Sequence, residues 1–258
     1  MSEVLTREGE QLRPAFDRDG YVCVSPLHDR ATMTAIVAEM DRVLRDVVPT
    51  MPRERVYLED KDDPTSVKQL QKLFEYSDLF HDLMFDGPAR RIAEEVLRDE
   101  VVPMNMQYFN KPPGIGQPTP PHQDGYYFHL DPCEAVTGWL ALEDVDDENG
   151  CIHYVRGSNR AEGFRAHGFS GVLGFSQGMT DFGSDADKAN TVAFPGGPGT
   201  FLMHHARTIH WAGPNRSPTR SRRALGFIYY GKRARLDVAA KEAYQKRLDE
   251  RLKAEGKI

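Results

Sequence analysis

Cysteine is scarce in this chain: Cys23, Cys133 and Cys151 are the three among 258 residues. No two form a CxxC pair, so no disulfide framework or four-cysteine zinc site is spelled out. An odd, low count with no export signal predicts reduced thiols in the cytoplasm. Long apolar runs are also missing. Nothing approaches the roughly 18 apolar residues a membrane helix needs. The opening MSEVLTREGEQLRPAF carries acidic residues and no apolar stretch, which reads as neither a signal nor a transit peptide. Positive charge is in short supply, with 33 Lys and Arg against 39 Asp and Glu and a net charge of −6. One basic block stands out, the four arginines between Arg216 and Arg223. Nucleic acid and anionic membrane are therefore not expected partners. No internal repeat or low-complexity segment is visible.

What is present is an ordinary globular composition, 40% hydrophobic and 28% charged, with ample material for a core. The length suits one generous domain or two small ones, and we read residues 1–258 as one. Residues 1–100 are mostly helical in pattern. Ala31 to Val48 places Met33, Ile36, Val37, Met40, Val43 and Leu44 at helical spacing, with Asp29 positioned to cap. SVKQLQKLFEYSDLFHDLMF and PARRIAEEVLRDE show the same period, and Pro88 suits a first helical turn. Asp19 to Ser25 reads as one short strand. From Val101 the pattern changes to short strands split by Gly and Pro: VVPMNMQYFN, VTGWLALEDV, CIHYV, TVAF, GTFLMHH, TIHWA and RRALGFIYYG. Strands at that rate predict a sandwich or barrel over 101–231. Within it, Ser158 to Asn190 holds six glycines and little periodicity, and is expected to be a lid. Residues 232–258 end in a polar helix, Asp237 to Lys257, covering the sheet.

PHQDGYYFHLDP (Pro121 to Pro132) contains two His-x-Asp triplets. On a strand, residues i and i+2 share a face, so His122 with Asp124, or His129 with Asp131, could each offer an imidazole and a carboxylate to one ion. GQPTPP before His122 presents that triplet at a strand entry, whereas Asp131 and Pro132 read as the exit. His122 and His129 would face opposite ways on one strand. A second histidine must come from His153, His167, His204, His205 or His210. His210 precedes the turn-rich WAGPNRSP, after which a strand begins, as in a β-hairpin. If that hairpin is symmetric about Arg216, His210 lies opposite Arg222. The other register puts Arg220 or Arg223 there. Two histidines and one carboxylate form the facial triad of non-heme Fe(II) oxygenases, which leaves positions for a bidentate 2-oxo acid and dioxygen. An arginine fork suits the far carboxylate of that acid.

At this point the chain resembles the phytanoyl-CoA dioxygenase family of Fe(II)/2-oxoglutarate-dependent oxygenases. The matching stretches are NKPPG (Asn110 to Gly114), HQDGYYF (His122 to Phe128), GWLALEDVDDENGCIHYVRGSN (Gly138 to Asn159) and IHWAGPNRSPTRSRRAL (Ile209 to Leu225). FDRDGYVCVSPL resembles the family's N-terminal strand. The resemblance implies a mainly β fold with flanking helices, a double-stranded β-helix or jelly roll of the cupin-like kind. It implies His122, Asp124 and His210 as Fe(II) ligands and Arg222 on 2-oxoglutarate. It also implies Trp139, Gln107 and Lys68 in the co-substrate pocket. Ala212 stands where relatives often have a serine, so a hydroxyl contact is lost.

The resemblance further implies that O2 and 2-oxoglutarate are consumed to succinate and carbon dioxide while a hydrogen is taken from a C–H bond. Hydroxylation, ring closure or desaturation follows. The carboxylate of Asp124 argues against halogenation, because halogenating relatives lack it. MQYFNKPPGIGQPTPPHQDGYYF is similar to the orthosomycin oxygenases, which close rings on oligosaccharide antibiotics. A small-molecule substrate of the oligosaccharide or aminoglycoside-like kind would suit Asn105, Tyr126, Tyr127 and His129. A generic small-metabolite hydroxylase stays open beside that reading, as do a homo-oligomer, a non-redox metal- or sugar-binding cupin-like jelly roll, and a metal-dependent hydrolase or isomerase.

Overall fold

The computed structural model describes residues 6, 9–172 and 175–254. The leader-free reading of the first residues, the lid positions Leu173 and Gly174, and the last tail residues lie wholly or partly outside them. Two antiparallel sheets face each other. The major sheet has seven strands in the spatial order Tyr21–Val24, Phe201–His205, Ala135–Ala141, Ala224–Gly231, Val101–Phe109, Val67–Leu70 and Val56–Leu58. The minor sheet has four, in the order Thr191–Phe194, Ile152–Val155, His210–Ala212 and Thr119–His122. Two-stranded ribbons, His167–Val172 with Phe175–Met179 and Leu130–Asp131 with Arg235–Leu236, complete the β structure.

Alternation decides what each sheet face does. Ala135–Ala141 is buried along its whole length. Val136 and Leu140 point to one side, where they join Phe201, Met203, Leu225, Phe227 and Tyr229 against the helices. Trp139 and Ala141 pack on the other side with Tyr154 and Leu202, between the two sheets. A strand covered on both faces has no polar face, which is why its sequence reads as a nearly unbroken apolar run. The helices Leu12–Asp19, Arg30–Arg42, Asp78–Phe85 and Pro88–Leu97 supply the cover. The Asp29 side chain caps Arg30–Arg42 by accepting from Thr32 N at 2.8 Å, and Pro88 occupies the first turn of its helix. Gly20 ends the first helix at φ +85°, where a Cβ would meet Asn159 Oδ1 and Thr208 Oγ1 at 2.6 Å.

Four expectations are corrected. The stretch from Ser66 to Phe85 is not one helical pattern. Val67–Leu70 is a strand pairing with Val101–Phe109, and the helix starts only at Asp78. All of Val67–Leu70 is buried, so sheet packing overrides its helical spacing. Asp124 is not on a strand: the strand stops at His122, and Asp124 opens the short helix Gly125–Phe128. His210 and Arg222 are not partners in one hairpin. His210 pairs with His122 and Tyr154 in the minor sheet, whereas Arg222 leads into the major sheet and exchanges backbone hydrogen bonds with Lys111. Finally, 158–190 is not irregular. It contains the ribbon His167–Val172/Phe175–Met179 and the helix Asp185–Asn190, which carries a Ser184–Asp187 capping box. The polar C-terminal helix runs Val238–Ala254. Among the described residues no helix is long and apolar enough to cross a membrane.

Candidate metal centre

The site lies between the sheets and takes its parts from both. His210 is directly opposite His122 across the minor sheet, and their rings are 4.1 Å apart. Each imidazole is set by its own backbone. Nδ1 of His122 lies 2.8 Å from Pro120 O, and Nδ1 of His210 lies 3.1 Å from Thr208 O. A carbonyl only accepts, so Nδ1 carries the proton and Nε2 presents its lone pair. Both Nε2 atoms face Asp124 Oδ1, at 3.3 Å from His122 and 3.6 Å from His210. The three candidate ligand atoms lie within 4.8 Å of one another. Two imidazoles and a carboxylate converging on one point fit a 2-His-1-carboxylate metal site.

Asp124 is held from the opposite sheet. Thr137 and His204 are paired across two strands of the major sheet. Thr137 Oγ1 donates to Asp124 Oδ2 at 2.5 Å, and His204 Nε2 lies 3.1 Å from the same oxygen. The other nitrogen of His204 is 2.9 Å from the Tyr154 hydroxyl. These partners occupy Oδ2 and leave Oδ1 toward the histidines. Burial would raise the Asp124 carboxyl, but its close contacts with His210, His122 and His204 hold it well below the usual carboxylate range. Burial, reinforced by His204 and His122, holds the His210 imidazole neutral. Sequence reasoning passed over Thr137 and weighed His204 only as a possible second ligand. The readable signal was a second histidine beside a strand end in MHH, which alternation turns inward at His204.

A cavity of about 250 Å³ opens from the triad. Across three strands of the major sheet, Gln107, Gly226 and Trp139 form one row facing it. Arg222 lines it as well, 5% exposed, with its guanidinium carbon 5.5 Å from the centre of the Trp139 ring. Among the described residues no carboxylate lies within ion-pair distance of Arg222, and its Nε has no hydrogen-bond partner. Burial pushes this guanidinium down to about 10, so it stays charged at neutral pH. A buried cation without a counter-ion calls for an anion from outside the chain. The rest of the wall is largely apolar: Phe109, Phe128, Ile152, Trp211, Ala212 and Ile228.

The other residues singled out from sequence are dispersed. Tyr127 lines the cavity, and its hydroxyl donates to Gln177 O of the ribbon. Tyr126 stacks on His167 at 4.2 Å. Lys68 pairs with Glu59 at 3.3 Å, and its neighbours Gln69 and Gln71 line the cavity in its place. Asn105 is turned to Gln71 and to the backbone N of Lys72. His129 lies outside the cavity in the left-handed region, φ +52°, with its ring 5.2 Å from Tyr244. The segment 123–127 meets the ribbon at several points, since Gln123 Oε1 accepts from Arg165 N at 3.0 Å and Gln123 N donates to His167 Nε2 at 3.3 Å.

The family described as phytanoyl-CoA dioxygenase (PhyH) matches residues 16–224. The chain is 30% identical over 149 residues to phytanoyl-CoA dioxygenase domain-containing protein 1 of Danio rerio, covering 56% of this chain and 50% of that protein. It is 25% identical over 229 residues to the peroxisomal phytanoyl-CoA dioxygenase of Rattus norvegicus, covering 80% of this chain and 63% of that one. The chain thus spans between half and two thirds of these relatives' length. Among solved structures, the non-heme alpha ketoglutarate dependent epimerase SnoN from nogalamycin biosynthesis superposes with a TM-score of 0.68 at 25% identity, covering 86% of this chain and 83% of SnoN.

Proposed function

The chain belongs to the phytanoyl-CoA dioxygenase family, and on that premise we propose that it is a non-heme Fe(II)/2-oxoglutarate-dependent oxygenase acting on a C–H bond of a small molecule. The observation that carries this reading is Arg222: a buried, unpaired cation lining the same cavity as a His/Asp/His cluster. A metal-binding jelly roll without redox turnover needs the cluster but has no use for the arginine. Fe(II), 2-oxoglutarate and O2 together supply an oxidant strong enough for an unactivated C–H bond, with succinate and carbon dioxide formed alongside.

The protein's part is to hold and to exclude. His122, Asp124 and His210 would hold the metal. Thr137 and His204 fix which Asp124 oxygen faces it. Arg222, backed by the Trp139 ring, takes the far carboxylate of the co-substrate, with Gln107 beside it. The aromatic and aliphatic wall keeps water from the reacting carbon. Product chemistry is hydroxylation or oxidative ring closure. The substrate we favour is a sugar-containing natural product, reached past Tyr127 and the glutamine pair Gln69 and Gln71. SnoN, from the biosynthesis of nogalamycin, supports a role in natural-product tailoring.

The test is turnover. Purified protein with Fe(II), O2 and 2-oxoglutarate should form succinate, faster when the correct substrate is present. A panel of glycosides and small hydroxy acids, screened by anaerobic binding, selects the substrate. Iron-loaded protein that binds 2-oxoglutarate but forms no succinate with any panel member would favour the non-redox reading.

A further inference from the structure

A second cluster of metal-ligating side chains lies outside the cavity. Asp147, Cys151 and His153 place a carboxylate oxygen, a sulfur and an imidazole nitrogen within 4.8 Å of one another. We propose that these three residues form a zinc-type site, separate from the His122/Asp124/His210 cluster, with a fourth position open to water.

The chain's local structure sets two of the ligands. Cys151 directly precedes the strand Ile152–Val155 and His153 is its second residue, and the two side chains come close together there. The His153 ring is fixed flat on Trp211, with centroids 3.9 Å apart and planes at 8°. Asp147 comes from the tight turn before them. That turn is closed by Cys151 N and Gly150 N donating to Asp146 O, at 2.9 and 3.0 Å. Asp147 Oδ1 then lies 3.1 Å from Cys151 Sγ and 3.6 Å from His153 Nε2. Tetrahedral zinc with its usual S, N and O bond lengths requires separations of about 3.4–3.6 Å. Both Asp147 distances lie close to those separations, and the Asp147 side chain, 80% exposed, is free to adjust.

Charge supports the assignment. Asp147 sits between Asp146 and Glu148, and Arg220 pairs with both of those neighbours. Among the described residues the ion-pair partner of Asp147 is His153 alone. The arginine therefore neutralises the flanking acids and leaves the middle one facing the cysteine and histidine. A thiolate, imidazole and carboxylate set is borderline-soft, which suits Zn²⁺ or Co²⁺ over Mg²⁺ or Ca²⁺. On binding, the Cys151 thiol loses its proton to solvent and an S–metal bond forms; no electron is transferred.

Anaerobic titration of the metal-free protein with Co²⁺ tests this. Cobalt bound to sulfur gives a near-ultraviolet thiolate-to-metal charge-transfer band, which the nitrogen and oxygen ligands of the other cluster cannot produce. The expected result is two bound equivalents, one of them with that band. The band should survive in His122→Ala and vanish in Cys151→Ser. Asp147→Asn, at an exposed position that spares folding, should weaken the band-forming site by about 100-fold, at the upper end of the loss seen even for outer-shell partners. Wild-type protein without the band at saturating Co²⁺, a band retained in Cys151→Ser, or undiminished affinity in Asp147→Asn would each overturn the proposal.

Discussion

Replacing Arg222 with alanine should move ligand affinity and ligand-free stability in different directions. In the free protein the guanidinium is 5% exposed, with no ion pair among the described residues and with Nε unsatisfied. Its burial is a standing cost, which is why its proton is held less tightly than usual, at about 10. Removing it should leave the ligand-free melting temperature unchanged or higher, because the relieved charge burial offsets the void left behind. Binding responds the other way. A co-substrate carboxylate that loses its buried cation loses on the order of 3–5 kcal/mol. At 1.4 kcal/mol per decade that is at least a hundredfold in Kd for 2-oxoglutarate. Anaerobic calorimetric titration of 2-oxoglutarate into metal-loaded protein measures the Kd, and a thermal melt measures the stability. Arg223→Ala is the control. Arg223 is committed to Glu143 and to Asp41, the latter at 2.6 Å, so its loss should weaken folding and spare 2-oxoglutarate. Unchanged affinity in Arg222→Ala, or equal losses in both variants, would refute the assignment of Arg222.

Three further outcomes follow from named contacts. Thr137→Val removes the 2.5 Å hydrogen bond to Asp124 Oδ2 while keeping the side chain's shape. Fe(II) affinity should fall by about 10- to 100-fold, read by chelator competition. His129→Ala should leave Fe(II) and 2-oxoglutarate binding intact in the same assays, because His129 packs toward Tyr244 and not the cavity. His205 is buried, and burial, aided by Arg207, lowers its imidazole from 6.5 to about 3. The unfolded chain takes up that proton near pH 6.5 and the folded protein does not. Stability from this group is therefore complete above pH 6.5 and declines toward pH 3, by up to about 1.4 kcal/mol per pH unit. Denaturant melts of His205→Phe at pH 7 and 5 should show a smaller acid loss than the wild type.

Much of this site could be read in the sequence, for unequal reasons. His122, Asp124, His210 and Arg222 were reachable because ligand chemistry restricts residue type and the flanking motifs fix their order. The local geometry behind them was not. The i, i+2 rule places Asp124 on His122's face of a strand, yet the strand ends at His122 and a helical turn delivers the carboxylate. The hairpin argument brings Arg222 beside His210, yet the two come from opposite sheets and share only the cavity. In both cases neighbours in sequence proved not to be neighbours in the sheets, because a jelly roll pairs distant strands. The pairing of Thr137 with His204 was hidden for the same reason: their opposition, 67 positions apart, is a property of register. Val67–Leu70 was misread because a fully buried strand leaves no alternation to detect. The ribbon in 158–190 was obscured by its glycines, two of which, Gly168 and Gly178, face each other across it.

The central claim is that His122, Asp124 and His210 hold Fe(II) while Arg222 brings 2-oxoglutarate onto it. The visible charge-transfer absorption formed when 2-oxoglutarate chelates Fe(II) without oxygen reports both events at once. The wild-type protein should develop that band at one iron and one 2-oxoglutarate per chain. His122→Ala should lack it, and Arg222→Ala should need at least a hundredfold more 2-oxoglutarate to reach it. A wild-type protein that binds Fe(II) but never develops the band, or a folded His122→Ala that keeps it, would contradict the account.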